Sequence, residues 1–154
     1  MTPKELDHLV KTDPAEALEK HSGALTPEQL WVCIQASPVT ALVFHAETLS
    51  TEQFNFCVRR HPDFALMHAR DQLSPEQLKF CIRKEPRTAL QCVTHLLTDD
   101  QIVACAIKCR ARLNEFLRTK KNPSPIMMAA LCKVKTRLGP TTQEALAVAI
   151  AKTI

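Results

Sequence analysis

A self-similarity at fixed spacing governs what this chain can fold into. The stretches Leu25–Leu30, Leu49–Phe54, Leu73–Leu78 and Leu97–Ile102 share a Leu-Ser/Thr start, an acidic residue and a Gln, and they begin 24 residues apart each time. One more step back reaches Met1, and Met1–Leu6 fits the same template. Other columns hold the phase: Cys33, Cys57, Cys81 and Cys105; Pro14, Pro38, Pro62 and Pro86; and Ala-Leu pairs at 17–18, 41–42, 65–66 and 89–90. A period of this size marks one supersecondary unit that buries its apolar face only by stacking on its neighbours.

The chemistry of one unit predicts a helical hairpin. Thr26 is placed to cap a helix, Pro27 suits the first helical position because its missing N–H would be unpaired anyway, and Gln29 can reach back to complete a capping box. Thr2 with Glu5, Ser50 with Gln53, Ser74 with Gln77 and Thr98 with Gln101 repeat the device. The helix that follows buries Leu30, Cys33 and Ile34 at helical spacing. Pro38 ends it, and a shorter second helix carries Ala41, Leu42 and His45 on one side. His45 reads as a residue packed between helices rather than a base.

The fifth unit departs from the pattern, with Arg110 where the proline should stand. One longer helix is expected from Asp99 to about Arg118. Beyond it, Ser124-Pro125 opens a helix predicted to run to Leu138, with Gly139 as a left-handed stop. Thr141 and Glu144 are expected to cap a last helix. The expected fold is all-α: a single domain over 1–154, with five helical hairpins of 24 residues over 1–117 forming a short right-handed α-solenoid and a C-terminal helical cap over 118–154.

The Leu-Ser/Thr-Pro-Glu-Gln-Leu starts and mid-repeat prolines over about residues 1–117 resemble the leucine-rich-variant repeat and HEAT-like short two-helix repeats. The resemblance is one of architecture and implies a binding scaffold; such motifs specify no single activity. The leucine-rich-variant prototype carries an iron–sulfur cluster near its start. No tight group of four cysteines stands at this N-terminus, so that feature does not carry over, and no cofactor is expected.

Only two glycines, Gly23 and Gly139, occur in 154 residues. That excludes a Gly-rich phosphate loop and a strained nucleophile turn, and with no catalytic constellation evident no enzyme is expected. The apolar run Ala145–Ala151 is too short to span a bilayer, so no membrane partner is expected. Seven cysteines behind a polar N-terminus without a secretory pattern predict free thiols in a reducing, cytoplasmic setting. The cysteine column cannot share one metal ion, because equivalent positions in stacked hairpins lie about 10 Å apart. Cys92, His95, Cys105 and Cys109 have a spacing that permits a Cys₃His site; two helix faces meeting in the core is the plainer reading, and no metal is expected.

Charge is unevenly spread. Over residues 1–107, 10 Lys and Arg stand against 14 Asp and Glu; over 108–137, 9 stand against 1. Aligning the repeats puts Arg59, Arg60, Arg83, Lys84 and Lys108 near the ends of first helices, with Arg110, Arg112, Arg118, Lys120 and Lys121 extending the line. This predicts a basic ridge that could meet a partner, although cations there also favour the helix dipole without binding anything. Trp31, the only tryptophan, falls in a mostly polar column with Asp7, Asn55 and Lys79, which makes it a candidate interface anchor. The favoured function is a protein-binding adaptor or inhibitor that docks a partner with an acidic or mixed surface. The alternative is a nucleic-acid-binding protein tracking phosphates, which the negative first 107 residues and scarce aromatics weigh against.

Overall fold

The computed structural model describes residues 1–119 and 124–151; it is all-α, with twelve α-helices and no strand among the described residues. These are α1 (Pro3–Thr12), α2 (Pro14–His21), α3 (Pro27–Ala36), α4 (Pro38–Phe44), α5 (Thr51–Arg60), α6 (Pro62–His68), α7 (Pro75–Lys84), α8 (Pro86–Cys92), α9 (Asp99–Lys108), α10 (Arg110–Thr119), α11 (Pro125–Lys133) and α12 (Pro140–Ala151). They divide into two compact units, Met1–Leu78 and Lys79–Ile154.

In the first unit the expected hairpins are present. The capping boxes form as the spacing requires: Thr26 N–H donates to Gln29 Oε1 at 2.8 Å while Gln29 N–H donates to Thr26 Oγ1 at 3.2 Å. The same reciprocal pair occurs at Thr2/Glu5, Ser50/Gln53 and Ser74/Gln77. Each hairpin turns on one joint residue. Ser37 N–H bonds the Cys33 carbonyl at 2.8 Å, closing α3, and the Ser37 carbonyl accepts from Ala41 at 3.2 Å, opening α4. Asp13 and His61 do the same. Their ψ angles, 78°, 63° and 68° at Asp13, Ser37 and His61, lie outside the helical region because each precedes a proline whose ring excludes it.

Packing follows the repeat. α1 packs on α3 and α3 on α5, while α2 packs on α4 and α4 on α6, so first helices lie against first helices and second against second. Ala17, Ala41 and Ala65 are fully buried beside Leu18, Leu42 and Leu66. A larger side chain in that alanine column would hold apart helices that meet closely. His45 is the packed residue expected: its Nε2 donates to the Leu18 carbonyl at 2.8 Å, linking the second helices of successive hairpins.

The second unit contains α8 packed on α9, α9 on α10, and α11 against α9 and the 3₁₀ turn Thr94–Leu96; α12 packs most extensively on α10. Two expectations fail here. The stretch from Asp99 to Arg118 is not one helix. Cys109 breaks it as a joint residue, its N–H on the Cys105 carbonyl at 3.0 Å and its carbonyl accepting from Leu113 at 2.9 Å. Without a following proline its ψ is 18°, against 63–78° at the joints that precede proline, yet the helix still breaks there. Nor does a helix run to Leu138. α11 ends at Lys133, a 3₁₀ turn covers Lys135–Arg137, and Gly139 has no positive φ. Gly139 instead opens α12: its carbonyl accepts from Thr142 and Gln143, and Pro140 stands at the first helical position. Thr141 therefore lies inside the helix and is not its cap.

The acidic first turn of α9 does more than complement a dipole. Lys133 pairs with Asp99 at 2.9 Å and Arg137 with Asp100 at 2.6 Å, tying α11 and its following turn to α9.

Candidate functional site

Two capping glutamines of the first unit use both ends of their amides. Gln29 accepts from its own cap through Oε1, and its Nε2 donates to Asp7 Oδ1 of the preceding hairpin at 2.5 Å. Gln77 does the same toward Asn55 Oδ1 at 2.7 Å. Asp7 and Asn55, in the column that reads as mostly polar in sequence, are thus acceptors for the next hairpin's cap. Trp31 occupies the same rank and has no acceptor to offer Gln53. Its ring meets Phe56 edge-on instead, with centroids 5.3 Å apart and planes at 66°.

This exchange of a hydrogen bond for an aromatic pair opens a cleft. Trp31, Asn55, Phe56, Arg59 and Arg60 line a hollow of about 640 Å³, and a second of about 300 Å³ lies on the other side of Trp31, toward Pro27 and Gln53. Trp31 is half-buried and belongs to both. Arg59 and Arg60 are exposed in the last turn of α5, and the Arg60 guanidinium lies over the Phe56 ring, 5.9 Å from its centroid. Trp31 and Phe56 form an apolar floor, edged by Arg59 and Arg60 and also by Glu52, which borders both hollows. Phe56 was not singled out from the sequence; its place one residue after Asn55 in an otherwise regular helix gave no signal without its neighbour.

The other candidate cations belong to the second unit. Arg83 and Lys84 are exposed in the last turn of α7, and Arg110 and Arg112 are exposed on α10. Lys108 donates to the Arg83 carbonyl, so part of its charge serves the end of α7. Arg118 pairs with Glu144 at 3.7 Å, which binds α10 to α12. Lys120 and Lys121 lie outside the described residues. Sequence reasoning missed Arg87, which lies over the Phe116 ring at 5.9 Å and shares a hollow with Arg112. A signal existed, for the equivalent residues of earlier repeats are Ala15, Val39 and Asp63.

The cysteines are free thiols. Cys33, Cys57, Cys81 and Cys105 are buried, and Cys132 is exposed. Burial pushes the thiols of Cys57, Cys81 and Cys105 up to about 11, with Glu85 adding to the rise at Cys81 and Cys109 adding at Cys105. Such thiols are poor nucleophiles at neutral pH. Among the described residues no three His, Cys, Asp or Glu side chains come together as a metal-binding group, and Cys92, His95, Cys105 and Cys109 form none.

No helix among the described residues is long and apolar enough to cross a membrane. No family model, curated protein or solved structure matches the chain.

Proposed function

We propose that the chain is a non-enzymatic helical-repeat protein, a short right-handed α-solenoid with a C-terminal helical cap, that acts as an adaptor or inhibitor by docking a protein partner. One observation carries the reading: where Asp7 and Asn55 accept a bond from the next hairpin's glutamine, Trp31 instead packs on Phe56 beside a cleft. Departures from a locally consistent pattern concentrate at functional positions. A half-buried tryptophan in a hollow, with two arginines beside it, has the make-up of an interface hot spot. The partner presents an apolar side chain that enters beside Trp31 and carboxylates that meet Arg59 and Arg60. The exposed cations of the second unit are further candidates for meeting an acidic surface.

The test is capture of a partner by the full chain from host lysate, with and without nuclease, followed by titration of the purified partner against the parent and Trp31→Ala proteins. Trp31 is the sole tryptophan, so its fluorescence reports occupancy of the cleft directly. A nuclease-resistant partner that shifts this emission and loses affinity for Trp31→Ala supports the reading. Nuclease-sensitive capture with a steep, log-linear salt dependence would instead mark a phosphate-backbone binder. Unchanged affinity of the alanine variant would remove Trp31 from the interface.

A further inference from the structure

The second unit carries a concavity of different chemistry. Two hollows, of about 410 and about 370 Å³, share Arg87 and Arg112 in their walls. Lys84 and Lys108 complete the cationic lining, against Glu85 and Glu115, so the pair of hollows carries a surplus of two positive charges. Among the described residues, Lys84, Arg87 and Arg112 are not engaged in any ion pair. Cations spread over a convex face are shielded by water; gathered in a concave wall, they focus their field into it.

These side chains are also held in place. Arg87 lies over the half-buried Phe116 ring at 5.9 Å, a contact that favours this placement of its guanidinium. Lys108 is anchored through its bond to the Arg83 carbonyl. Both arginines are exceptions within their repeat columns. Arg87 follows Ala15, Val39 and Asp63, and Arg112 follows Glu16, Thr40, Phe64 and Thr88. Neither is a residue that the stacking of hairpins calls for, yet the fold puts the two in one wall.

We propose that this hollow binds a phosphomonoester dianion carried on a side chain of a partner protein. Guanidinium forks match phosphate oxygens in bidentate fashion, and a phosphorylated side chain carries about −1.5 to −2 charges at neutral pH, which neutralises the surplus of two. A nucleic-acid backbone offers one charge per phosphodiester and is followed by a track of cations, whereas here the charge is concentrated around shared hollows. The proposal rests on the reading of the chain as a protein-binding module but not on the Trp31 cleft, which belongs to the other unit.

The test titrates the full chain with a short alanine-rich peptide bearing one phosphoserine, with the same peptide carrying Ser or Glu in its place, and with a single-stranded oligonucleotide. Arginine side-chain Nε resonances provide the readout. The phosphopeptide is expected to bind in preference to the Ser, Glu and oligonucleotide probes and to shift the Arg87 and Arg112 signals. Arg87→Gln and Arg112→Gln should each weaken it about tenfold or more, the usual scale for losing one charge-assisted contact, while Lys4→Gln, at an exposed lysine of α1, leaves it unchanged. Affinity should also fall as pH drops through about 6, where the dianion takes up a proton. Circular dichroism shows whether the variants keep their helices, and Lys84→Gln gives a second, milder probe of the same wall. Equal binding of the Ser peptide or the oligonucleotide, no binding of the phosphopeptide, or binding indifferent to both arginine changes would overturn the proposal. None of those outcomes touches the tryptophan titration that tests the cleft.

Discussion

Gln77 Nε2 donates to Asn55 Oδ1 at 2.7 Å while Gln77 Oε1 receives the Ser74 N–H at 2.7 Å, so one amide caps its own helix and fastens it to the preceding hairpin. This explains a preference that capping alone leaves open. A glutamate caps a helix as well as a glutamine, as Glu5 does at Thr2. The later repeats use Gln, and at Gln29 and Gln77 the amide supplies the donor that reaches the preceding hairpin.

Gln77→Glu should therefore destabilise the fold by about 1 kcal/mol, because it keeps the capping oxygen but faces Asn55 Oδ1 with a second acceptor. Gln53→Glu should cost much less, since Gln53 faces Trp31. Urea unfolding of the two variants decides the matter; equal losses would mean that the inter-hairpin bond contributes nothing.

At Trp31 the same logic separates folding from binding. Trp31→Asn supplies the acceptor that Gln53 lacks and should be more stable than Trp31→Ala by about 1 kcal/mol. Both should lose the partner. An asparagine variant no more stable than the alanine one would show that the acceptor column cannot be extended to this hairpin.

Leu66 is completely buried between the fully buried columns of the first unit. Leu66→Ala should cost about 2–5 kcal/mol, the usual loss for a truncated core leucine with its residual cavity. A midpoint shift worth under about 1 kcal/mol would mean that the hairpins close over the gap.

The buried thiols set an alkaline limit. Up to about 9, their ordinary value, both folded and unfolded chains keep the thiols protonated; between 9 and about 11 the unfolded chain loses protons that Cys57, Cys81 and Cys105 retain when folded. Fewer protons bound in the unfolded state means that stability falls with rising pH across this window. Thermal scans should show the decline, and replacing the three by alanine should flatten it. At neutral pH the exposed Cys132 should react with a thiol reagent well before any of the ladder cysteines.

Asn114 is buried in α10 and its Oδ1 has no hydrogen-bond partner. Asn114→Leu removes an unsatisfied acceptor while keeping the shape, and should raise stability by about 1 kcal/mol. A lowered melting temperature would show that the amide is satisfied in solution.

Much of this architecture is legible in the sequence because it is periodic. Helix starts at Thr26, Ser50 and Thr98 follow from capping chemistry, and the buried alanine and leucine columns follow from the phase of the repeat. The misreadings come where one residue type served as the sole signal. The missing proline at position 110 suggested a continuous helix, but the chain makes the same joint at Cys109 without one. Gly139 suggested a left-handed stop, yet it stands where Thr26 and Ser50 stand, before a helix start. The acceptor role of Asp7 and Asn55, and the meeting of Arg87 with Phe116, join residues 22 to 29 positions apart and needed the stacked helices to become visible.

The joint residues have a dynamic consequence. Ser37 gives its N–H to one helix and its carbonyl to the next, as do Asp13, His61, Glu85 and Cys109. Fraying at the end of the first helix of a pair thus removes the anchor that starts the second, and the two halves should surrender their amide protons to deuterium together. Proteolysis and exchange would then act on whole paired modules, and each loss would expose a fresh apolar face for the next.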